Sequence, residues 1–97
     1  MSAYLISDVT PKDPDAFQLY RSKAATSIEQ YGGRYLVRGG QPEQLEGNSA
    51  SRKLIIVEFP SLAQAKAWYK SPEYALALQV RDKALSRNLI LVDGISQ

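Results

Sequence analysis

Apolar residues gather into four short runs along the chain, and each run has the composition of a β-strand. The runs predict strands over residues 3–9, 34–38, 54–59 and 89–94. The third run is apolar almost throughout, which is typical of a central strand that is covered on both faces. A proline or a glycine pair closely follows each of the first three runs and predicts where that strand ends.

Helical periodicity fills the gap between the first two strands. Asp13 is placed to cap a helix whose first position is Pro14. Apolar residues then recur every three or four positions, at Phe17, Tyr20, Ala24, Ile28 and Tyr31. Gly32-Gly33 predicts the end of this helix, because glycine adopts the left-handed conformation at little steric cost.

A second helical stretch, between strands three and four, has two start signals. Ser61 and Gln64 have the spacing of a capping box, which opens a helix through Trp68-Tyr69. Ser71-Pro72-Glu73 then offers a second serine cap, a proline for the first helical position and an acid near the positive helix end. We therefore expect a helix that is broken at Ser71-Pro72 and whose second part runs to about Ala84.

The order of the elements is β-α-β-β-α-β, which predicts an α+β fold of the ferredoxin-like type. Its sheet would be four-stranded and antiparallel with the helices on one face, and residues 1–97 would form a single domain. A polar loop from Gln41 to Ser51, with a short extended piece around residues 43–46, would join strands two and three.

This topology also predicts where polar side chains gather. We expect the two central strands, one and three, to run parallel and the outer two to run against them. One end of the sheet would then hold Asp8, Arg34 and Glu58. The other end would hold Tyr4, Arg38, Arg52 and Asp93.

Composition narrows the available chemistry, because the 97 residues include no cysteine and no histidine. Disulfides, thiolate nucleophiles and zinc-thiolate sites are excluded, and so are Ser-His-Asp triads and histidine-ligated haem. No group of carboxylates has the spacing of a metal site, and we predict neither a metal nor a cofactor. A flavin, or a haem ligated by tyrosine or methionine, stays compatible with the residues.

Charge and hydropathy limit the classes of partner that we expect the chain to bind. Twelve basic and ten acidic residues are interspersed without a basic run, so we predict no nucleic-acid binding. No apolar stretch approaches the ~18 residues of a membrane span, and the N-terminus lacks the regions of a signal peptide, which predicts a cytoplasmic protein with no membrane partner. A monomer of this size buries only about two-thirds of its unfolded surface, so a second copy on an apolar sheet face would add stability.

Four segments give the chain a resemblance to a known family: Tyr31-Gly-Gly-Arg-Tyr-Leu-Val-Arg-Gly-Gly40, Leu45-Glu-Gly47, Val57-Glu-Phe-Pro-Ser61 and Ala67-Trp-Tyr-Lys-Ser-Pro-Glu-Tyr74. Arg81 and Val92-Asp-Gly94 also fit, and over essentially its whole length the chain resembles the bacterial family catalogued as domain of unknown function 1330. The resemblance implies a dimeric α/β barrel, in which two ferredoxin-like sheets pack face to face, and it brings no established activity. Similar dimeric barrels include cofactor-free monooxygenases, isomerases and haem enzymes, a likeness of fold alone.

Arg38 and Glu58 are charged residues on apolar strands and are the first candidates for a site. Arg38 precedes two glycines that allow close approach, and its guanidinium suits a carboxylate or a phosphate. Its alternatives are an ion pair with Asp93 or Glu58, or a contact between subunits. Glu58 facing the core would have a raised pKa suited to a general base. By strand alternation it would instead face the partner subunit and pair with an arginine.

The broken helix carries the second group of candidates. Tyr69, Tyr74 and Arg81 lie there with Trp68 beside them, and Tyr74 and Arg81, seven positions apart, share a helix face. Such residues would line a pocket, or else pack in a core or an interface where each tyrosine finds a hydrogen-bond partner. Asp93, next to a glycine, is a candidate binding residue or a turn residue.

Two functions of different classes follow from these candidates. The first is a metal-free enzyme acting on a small anionic or aromatic molecule in a pocket of the dimeric barrel, where Arg38 anchors an anionic group, Glu58 moves a proton and the tyrosines pack against the substrate. The second is a non-catalytic homodimer that is structural or binds a ligand. The position of the carboxylates separates them, because the first function needs Glu58 or another carboxylate in a solvent-reachable cavity, whereas the second tolerates Glu58 in an ion pair between subunits.

Overall fold

The computed structural model of the protein describes residues 2–48 and 52–95. In these residues the elements follow the predicted order: β1 (Ala3–Pro11), α1 (Pro14–Gln30), β2 (Arg34–Gly40), β3 (Lys53–Phe59), α2 (Leu62–Tyr69), α3 (Pro72–Ala84) and β4 (Leu85–Asp93). The four strands form one sheet in the order β2-β3-β1-β4. The predicted α+β fold of the ferredoxin-like type is confirmed.

Local chemistry explains the two ends of α1. The Asp13 side chain accepts a hydrogen bond from Ala16 N at 2.9 Å and so satisfies a donor of the first turn. The helix ends at Gln30 and is followed by Tyr31 and by Gly32, whose φ of 80° turns the chain out of the helix. The next residue, Gly33, lies where there is no room for a side chain. A Cβ there would lie 2.7 Å from Ile28 Cγ2 and 2.8 Å from the ring of Phe59. The predicted glycine stop thus also lets the chain pass between α1 and the sheet.

The predicted break between α2 and α3 is confirmed. Ser71 separates the two helices, and its Oγ accepts from Tyr74 N at 3.0 Å while donating to Trp68 O at 2.7 Å. One buried hydroxyl therefore caps the start of α3 and satisfies a carbonyl at the end of α2.

The central strands β1 and β3 run antiparallel, so the expectation that they are parallel is wrong. The connections explain the direction. The loop from β2 to β3 reverses the chain, whereas the crossover through α1 makes β2 parallel to β1. Because β3 lies between β1 and β2, it opposes both of them.

The corrected direction also changes the two predicted polar groups. Glu58 lies opposite Tyr4 and Arg34 at one end of the sheet, and Asp93 pairs with Ala3 at that same end. The other end of the sheet holds Asp8 with Arg38 and Arg52. The Oδ1 of Asp8 is 3.5 Å from Arg52 Nη1 and accepts from Asn88 N at 3.1 Å.

Several strand boundaries differ from the prediction by one or two residues, and two differences are larger. Strand β4 begins at Leu85, four positions before the predicted start at Leu89, because α3 runs into it with no turn between them. The predicted extended piece around residues 43–46 is not a strand, since residues 41–48 contain no strand or helix. The remainder of that predicted loop, residues 49–51, lies outside the described residues.

The helices cover one face of the sheet, which we call the helix side. Strand residues on this side, including Val57 and Phe59, are buried against α1, α2 and α3. The other face, which we call the open face, carries the alternate strand positions. Its apolar members include Ile6, Leu54, Ile56, Ile90 and Val92, and Ile90 is 59% exposed in the single chain.

Candidate functional site

A cavity of about 140 Å³ lies on the helix side, between the sheet and α1. Side chains from all four strands form its floor, and residues of α1 together with Trp68 form its roof. An apolar cavity of about 150 Å³ in another protein holds one benzene molecule. The space here therefore matches a ligand of roughly one six-membered ring.

Four cationic side chains line this cavity: Arg21, Arg38, Lys53 and Arg87. Among the described residues that line it, none is an aspartate or a glutamate. The remaining walls are mostly apolar or aromatic. Clustered charge of one sign next to low-dielectric walls produces a strong local potential, so the cavity attracts anions.

The β4 end of the cavity is built by Arg87, Tyr20 and Tyr74, which we call the tyrosine–arginine cluster. Arg87 donates from Nη1 to the Tyr20 hydroxyl, and from Nη2 to the Tyr74 hydroxyl at 2.7 Å. The two hydroxyls are themselves hydrogen-bonded at 2.6 Å. Tyr20 lines the cavity, whereas Tyr74 lies behind it and is fully buried. Side chains from α1, α3 and β4 thus meet at one point.

Burial sets the protonation of this cluster. It raises the pKa of Tyr20 well above the usual range, the neighbouring Tyr74 adds to the rise, and the Arg87 charge offsets it only in part. Burial lowers the pKa of Arg87, but the two tyrosines raise it by more. Tyr20 is therefore a neutral hydrogen-bond donor rather than a base, and Arg87 keeps its positive charge.

Ser7 adds a further polar group to the floor of the cavity. It lies on β1, is 4% exposed and lines the cavity. Its Oγ has no hydrogen-bond partner among the described residues. A buried hydroxyl without a hydrogen-bond partner costs free energy. A bound ligand that accepts a hydrogen bond from it removes that cost.

Arg38 reaches the cavity because of a bulge in β2. The pairing of β2 with β3 shifts between Tyr35 and Val37, so that Arg38 pairs with Ile55 and lies on the helix side. Without the extra residue, strand alternation would place it on the open face. The Arg38 guanidinium lies 4.5 Å from the centre of the Tyr35 ring. With Lys53, it forms the exposed mouth of the cavity.

The alternative ion pairs predicted for Arg38 do not form among the described residues. Asp93 and Glu58 lie at the opposite end of the sheet, as the strand pairing shows. Arg38 therefore keeps its charge unpaired by carboxylates of the described chain and remains available to an anion at the mouth of the cavity.

Glu58 lies on the open face and outside the cavity. Arg34 Nε donates to its Oε1 at 2.7 Å, and the Tyr4 hydroxyl donates to Oε2 at 3.4 Å. The hydrogen bond from Arg34, with further ones from Ser2 and Tyr4, lowers the pKa of Glu58. The expectation of a raised pKa is therefore wrong, because the carboxylate has a cationic partner on the neighbouring strand. A catalytic role for Glu58 stays a prediction, and it would have to operate on the open face.

Tyr69 and Arg81 lie along an open groove outside β4, and Arg87 borders both this groove and the cavity. The Arg81 Nε is 3.2 Å from Asp82 Oδ1, an exposed contact within α3. The ring of Tyr69 lies 5.8 Å from that of Tyr74. These two predicted residues are thus neighbours of the tyrosine–arginine cluster without lining the cavity.

The predicted site residues fall into three places. Arg38 and Tyr74 belong to the cavity and its cluster, Tyr69 and Arg81 to the outer groove, and Glu58 with Asp93 to the far end of the sheet. Sequence reasoning missed Arg87 as a site residue. Strand alternation could have identified it: counted from the buried Leu85, the alternation places Arg87 on the same face of β4 as Leu85.

The described residues lack two further features, a cluster of metal ligands and a membrane-spanning helix. No three acidic, histidine or cysteine side chains lie together as they would to hold a metal ion. None of the helices in the described part of the chain combines the length and the hydropathy needed to cross a membrane.

Comparison with models of protein families matches residues 2–95 to one family, described as "Domain of unknown function (DUF1330)". This match confirms the resemblance drawn from the sequence segments. No curated protein matches the chain.

Solved structures share the fold over nearly the whole chain. A protein of unknown function from Rhodopseudomonas palustris, RPA0582, is 21% identical, with a TM-score of 0.76 over 99% of this chain and 84% of its own. SnoaB, a cofactor-independent oxygenase from Streptomyces nogalater, is 10% identical, with a TM-score of 0.68 over 99% and 95%. A dimeric ferredoxin-like protein of unknown function from Jannaschia sp. CCS1 is 11% identical, with a TM-score of 0.68 over 97% and 100%. At these identities the likeness shows the fold alone.

Proposed function

The chain belongs to the family of domain of unknown function 1330, and from its cavity we propose that it is a metal-free enzyme acting on a small organic anion with an apolar body. One observation carries the proposal. The cavity between the sheet and α1 is lined by four cationic side chains and, among the described residues, by no carboxylate. A ligand that supplies the missing negative charge is bound more favourably than a neutral molecule of the same shape.

The shape of the cavity supports a ligand that has a polar and an apolar part. Its walls include Phe17, Trp68 and Leu89, which suit a hydrocarbon or an aromatic ring. The predicted anchoring role of Arg38 fits the mouth, where its guanidinium is exposed and stacked on Tyr35. The cavity thus offers apolar contact inside and cationic groups at both of its ends.

The enzymatic part of the proposal rests on the tyrosine–arginine cluster. Arg87 is half-buried, and a fixed positive charge that is partly shielded from water stabilises negative charge that develops during a reaction without the help of a cofactor. The oxygenase SnoaB, which has the same fold, is described as cofactor-independent, and this supports the assignment by analogy only.

A non-catalytic binding protein is the second candidate function. It is favoured by one specific observation: the described residues that line the cavity include no carboxylate or histidine to accept a proton. Glu58 lies on the other face of the sheet and is not that group. A reaction in this cavity would therefore use a base from the ligand or from water.

We also propose that two copies of the chain pair through their open faces. Ile6, Ile56 and Ile90 lie next to one another on β1, β3 and β4 and form an apolar strip on that face. Proteins of the same fold from Jannaschia sp. CCS1, Bacteroides fragilis and Thermobifida fusca are described as dimeric. Covering the strip with a second copy would remove a contiguous apolar patch from water.

The proposed function is tested by thermal unfolding with ligands of one ring. Benzoate and phenylacetate are compared with benzamide and benzyl alcohol, which have similar shapes and no charge. At a concentration about 100 times Kd, a ligand that binds the folded state adds about 2.7 kcal/mol. We expect the anions to raise Tm, the neutral molecules to raise it much less, and added salt to reduce the difference.

Matched variants locate the binding. Arg38→Met should weaken the effect of benzoate, whereas Arg34→Met, which removes a guanidinium from the open face, should leave it unchanged. Equal stabilisation by the anions and the neutral molecules, or none by either, would overturn the proposed function. Oxygen uptake or product formation in the presence of a metal chelator then separates the enzyme from the binding protein.

A further inference from the structure

We infer that the β4 end of the cavity is an oxyanion site, in which Arg87, Tyr20 and Ser7 hold the deprotonated oxygen of a ring-sized phenolate or enolate, while Tyr74 positions Tyr20 and Arg87 from behind. The inference rests on the proposed function and deepens it, because it states which end of the cavity takes the charged oxygen and in which protonation state the ligand binds. No covalent step is involved: the ligand enters as its conjugate base, and its proton remains with the solvent.

A count of hydrogen-bond donors carries this inference. Arg87 has five N–H groups, of which two donate to the tyrosine hydroxyls. The other three have no acceptor among the described residues. One hydroxyl proton joins Tyr20 to Tyr74, so the second phenol proton is left over, and the Ser7 proton is also unused. The cluster and Ser7 together therefore hold spare donors from three residue types, with no negatively charged acceptor among the described residues that line the cavity.

The arrangement of Arg87 favours an anion that presents a single oxygen. Its two terminal nitrogens, Nη1 and Nη2, each already donate to a phenol oxygen, and those two oxygens are only 2.6 Å apart. They thus occupy the end-on fork, so a carboxylate could reach Arg87 only side-on, through Nε–H and one remaining Nη–H. The remaining donors suit one anionic oxygen that accepts several hydrogen bonds, as in the oxyanion holes of enzymes.

Burial makes these donors selective for the charged form of a ligand. Tyr74 is 0% exposed and Tyr20 is 7% exposed, so water competes little for their protons. Electrostatic interactions are stronger in such an environment than in bulk water. Because Tyr20 stays neutral, the negative charge that Arg87 attracts must come from the ligand.

The test uses 4-nitrophenol, whose phenolate has a visible absorbance band, with nitrobenzene as the probe that lacks the acidic oxygen. We expect the bound phenol to have a pKa at least one unit lower than in water, which is a preference of about tenfold for the phenolate. This measurement needs no variant. A bound pKa that is unchanged or raised would overturn the inference.

Variants then place the oxygen within the cavity. Arg87→Met and Tyr20→Phe should each reduce phenolate affinity by about tenfold or more, because a hydrogen bond to a charged group is lost, while nitrobenzene binding persists. Because Tyr20→Phe keeps the aromatic ring, it still tests the inference if Arg87→Met fails to fold. Tyr31→Phe is the control, since its hydroxyl donates to Glu73 and does not line the cavity.

The outcomes separate this inference from the proposed function. If Arg38→Met removes the phenolate preference and Arg87→Met does not, the charged oxygen lies at the mouth, and the inference fails while anion binding in the cavity stands. If 4-nitrobenzoate binds at least as tightly as 4-nitrophenolate and depends equally on Arg87, the single-oxygen assignment is overturned. If neither nitrobenzene nor 4-nitrophenol binds, the inference fails, and the comparison of benzoate with benzamide decides separately whether anion binding in the cavity stands.

Discussion

The indole of Trp68 is 1% exposed, and Ser27 supplies its hydrogen-bond partner. Trp68 Nε1 donates to Ser27 Oγ at 2.9 Å, and Ser27 Oγ donates in turn to Ala24 O at 2.8 Å. Ser27→Ala would leave the indole N–H buried without an acceptor, and we expect the free energy of unfolding to fall by about 1–3 kcal/mol. Urea denaturation followed by tryptophan fluorescence measures the loss.

The neighbouring residue provides the control for this substitution. Thr26 is exposed, and its Oγ1 donates to Ser22 O at 3.1 Å on the surface of the same helix. Thr26→Ala should change the free energy of unfolding by no more than about 0.5 kcal/mol. Equal stabilities for the two variants would show that the Ser27–Trp68 hydrogen bond does not contribute.

The contact between Arg34 and Glu58 predicts how stability depends on acidity. Because the folded-state pKa of Glu58 is lowered, its contribution to stability is present above the carboxyl pKa of the unfolded chain and disappears as the pH falls through the lower folded value. The free energy of unfolding should therefore exceed that of Glu58→Gln near neutral pH, and the two should converge in acid. Urea unfolding at a series of pH values gives this comparison.

A second pair of variants confirms the cause. In an Arg34→Met background, the hydrogen bond that lowers the pKa of Glu58 most is absent. Adding Glu58→Gln to that background should then produce a smaller pH-dependent difference. A difference of unchanged size would mean that Arg34 is not the partner that stabilises the carboxylate.

Single residues of the candidate site were only partly predictable from the sequence. Tyr74 was identified through its position on the broken helix, and Arg38 through its position on an apolar strand. The orientation of Arg38 was not predictable, because it depends on an extra residue in β2 that strict alternation does not include. Arg87 was missed because the predicted strand began after it.

Among the elements, the helices were predicted more accurately than the strands. Serine caps and helix-starting prolines act locally, so Ser71-Pro72 was sufficient to predict the break between α2 and α3. The start of β4 has no such signal, because Ala84 ends the helix and Leu85 begins the strand with no turn residue between them. The direction of β3 follows from the connections between the elements, and the prediction of a parallel pair of β1 and β3 was wrong although the sequence contained the information.

The junction of α2 and α3 gives a prediction about helix caps. Ser71 is 5% exposed and serves both helices, whereas Ser61 caps α2 alone, accepting from Gln64 N at 3.1 Å. We expect Ser71→Ala to cost about 2 kcal/mol, at the upper end of the range for a lost cap, and Ser61→Ala about 1 kcal/mol or less. Thermal unfolding of both variants compares them directly. Equal losses would contradict the double role of Ser71.

At the scale of the whole molecule, element order was enough to identify the fold, and four sequence segments were enough to identify the family. The cavity was not predictable in the same way. Its volume depends on how far α1 stands from the sheet, which is decided by the packing of residues such as Phe17, Ala24 and Ile28 against strands distant in sequence. Periodicity predicts that these residues face inward but not how completely they fill the space.

The open face gives the prediction for assembly. Ile90 is 59% exposed on that face, so Ile90→Lys would put a charge into the proposed contact between two copies. We expect the variant to sediment as a monomer under conditions in which the unmodified protein sediments as a dimer. Leu76→Lys, at a residue of α3 that is 50% exposed on the helix layer, should leave the sedimentation coefficient unchanged. A dimer that persists in Ile90→Lys would place the contact elsewhere.

The two interruptions in β2 have a consequence for polymerisation. Strand β2 is one edge of the sheet, and its register shifts twice within seven residues, with Gly39 at φ 84°. Another chain cannot add a regular ladder of hydrogen bonds to an edge of this kind. An open-ended ribbon, in which each molecule joins the next through opposite edges, needs both β2 and β4. With β2 unsuitable, pairing through the sheet edges alone stops at two molecules joined by β4, which removes one route by which a chain with a large apolar sheet face assembles into fibres.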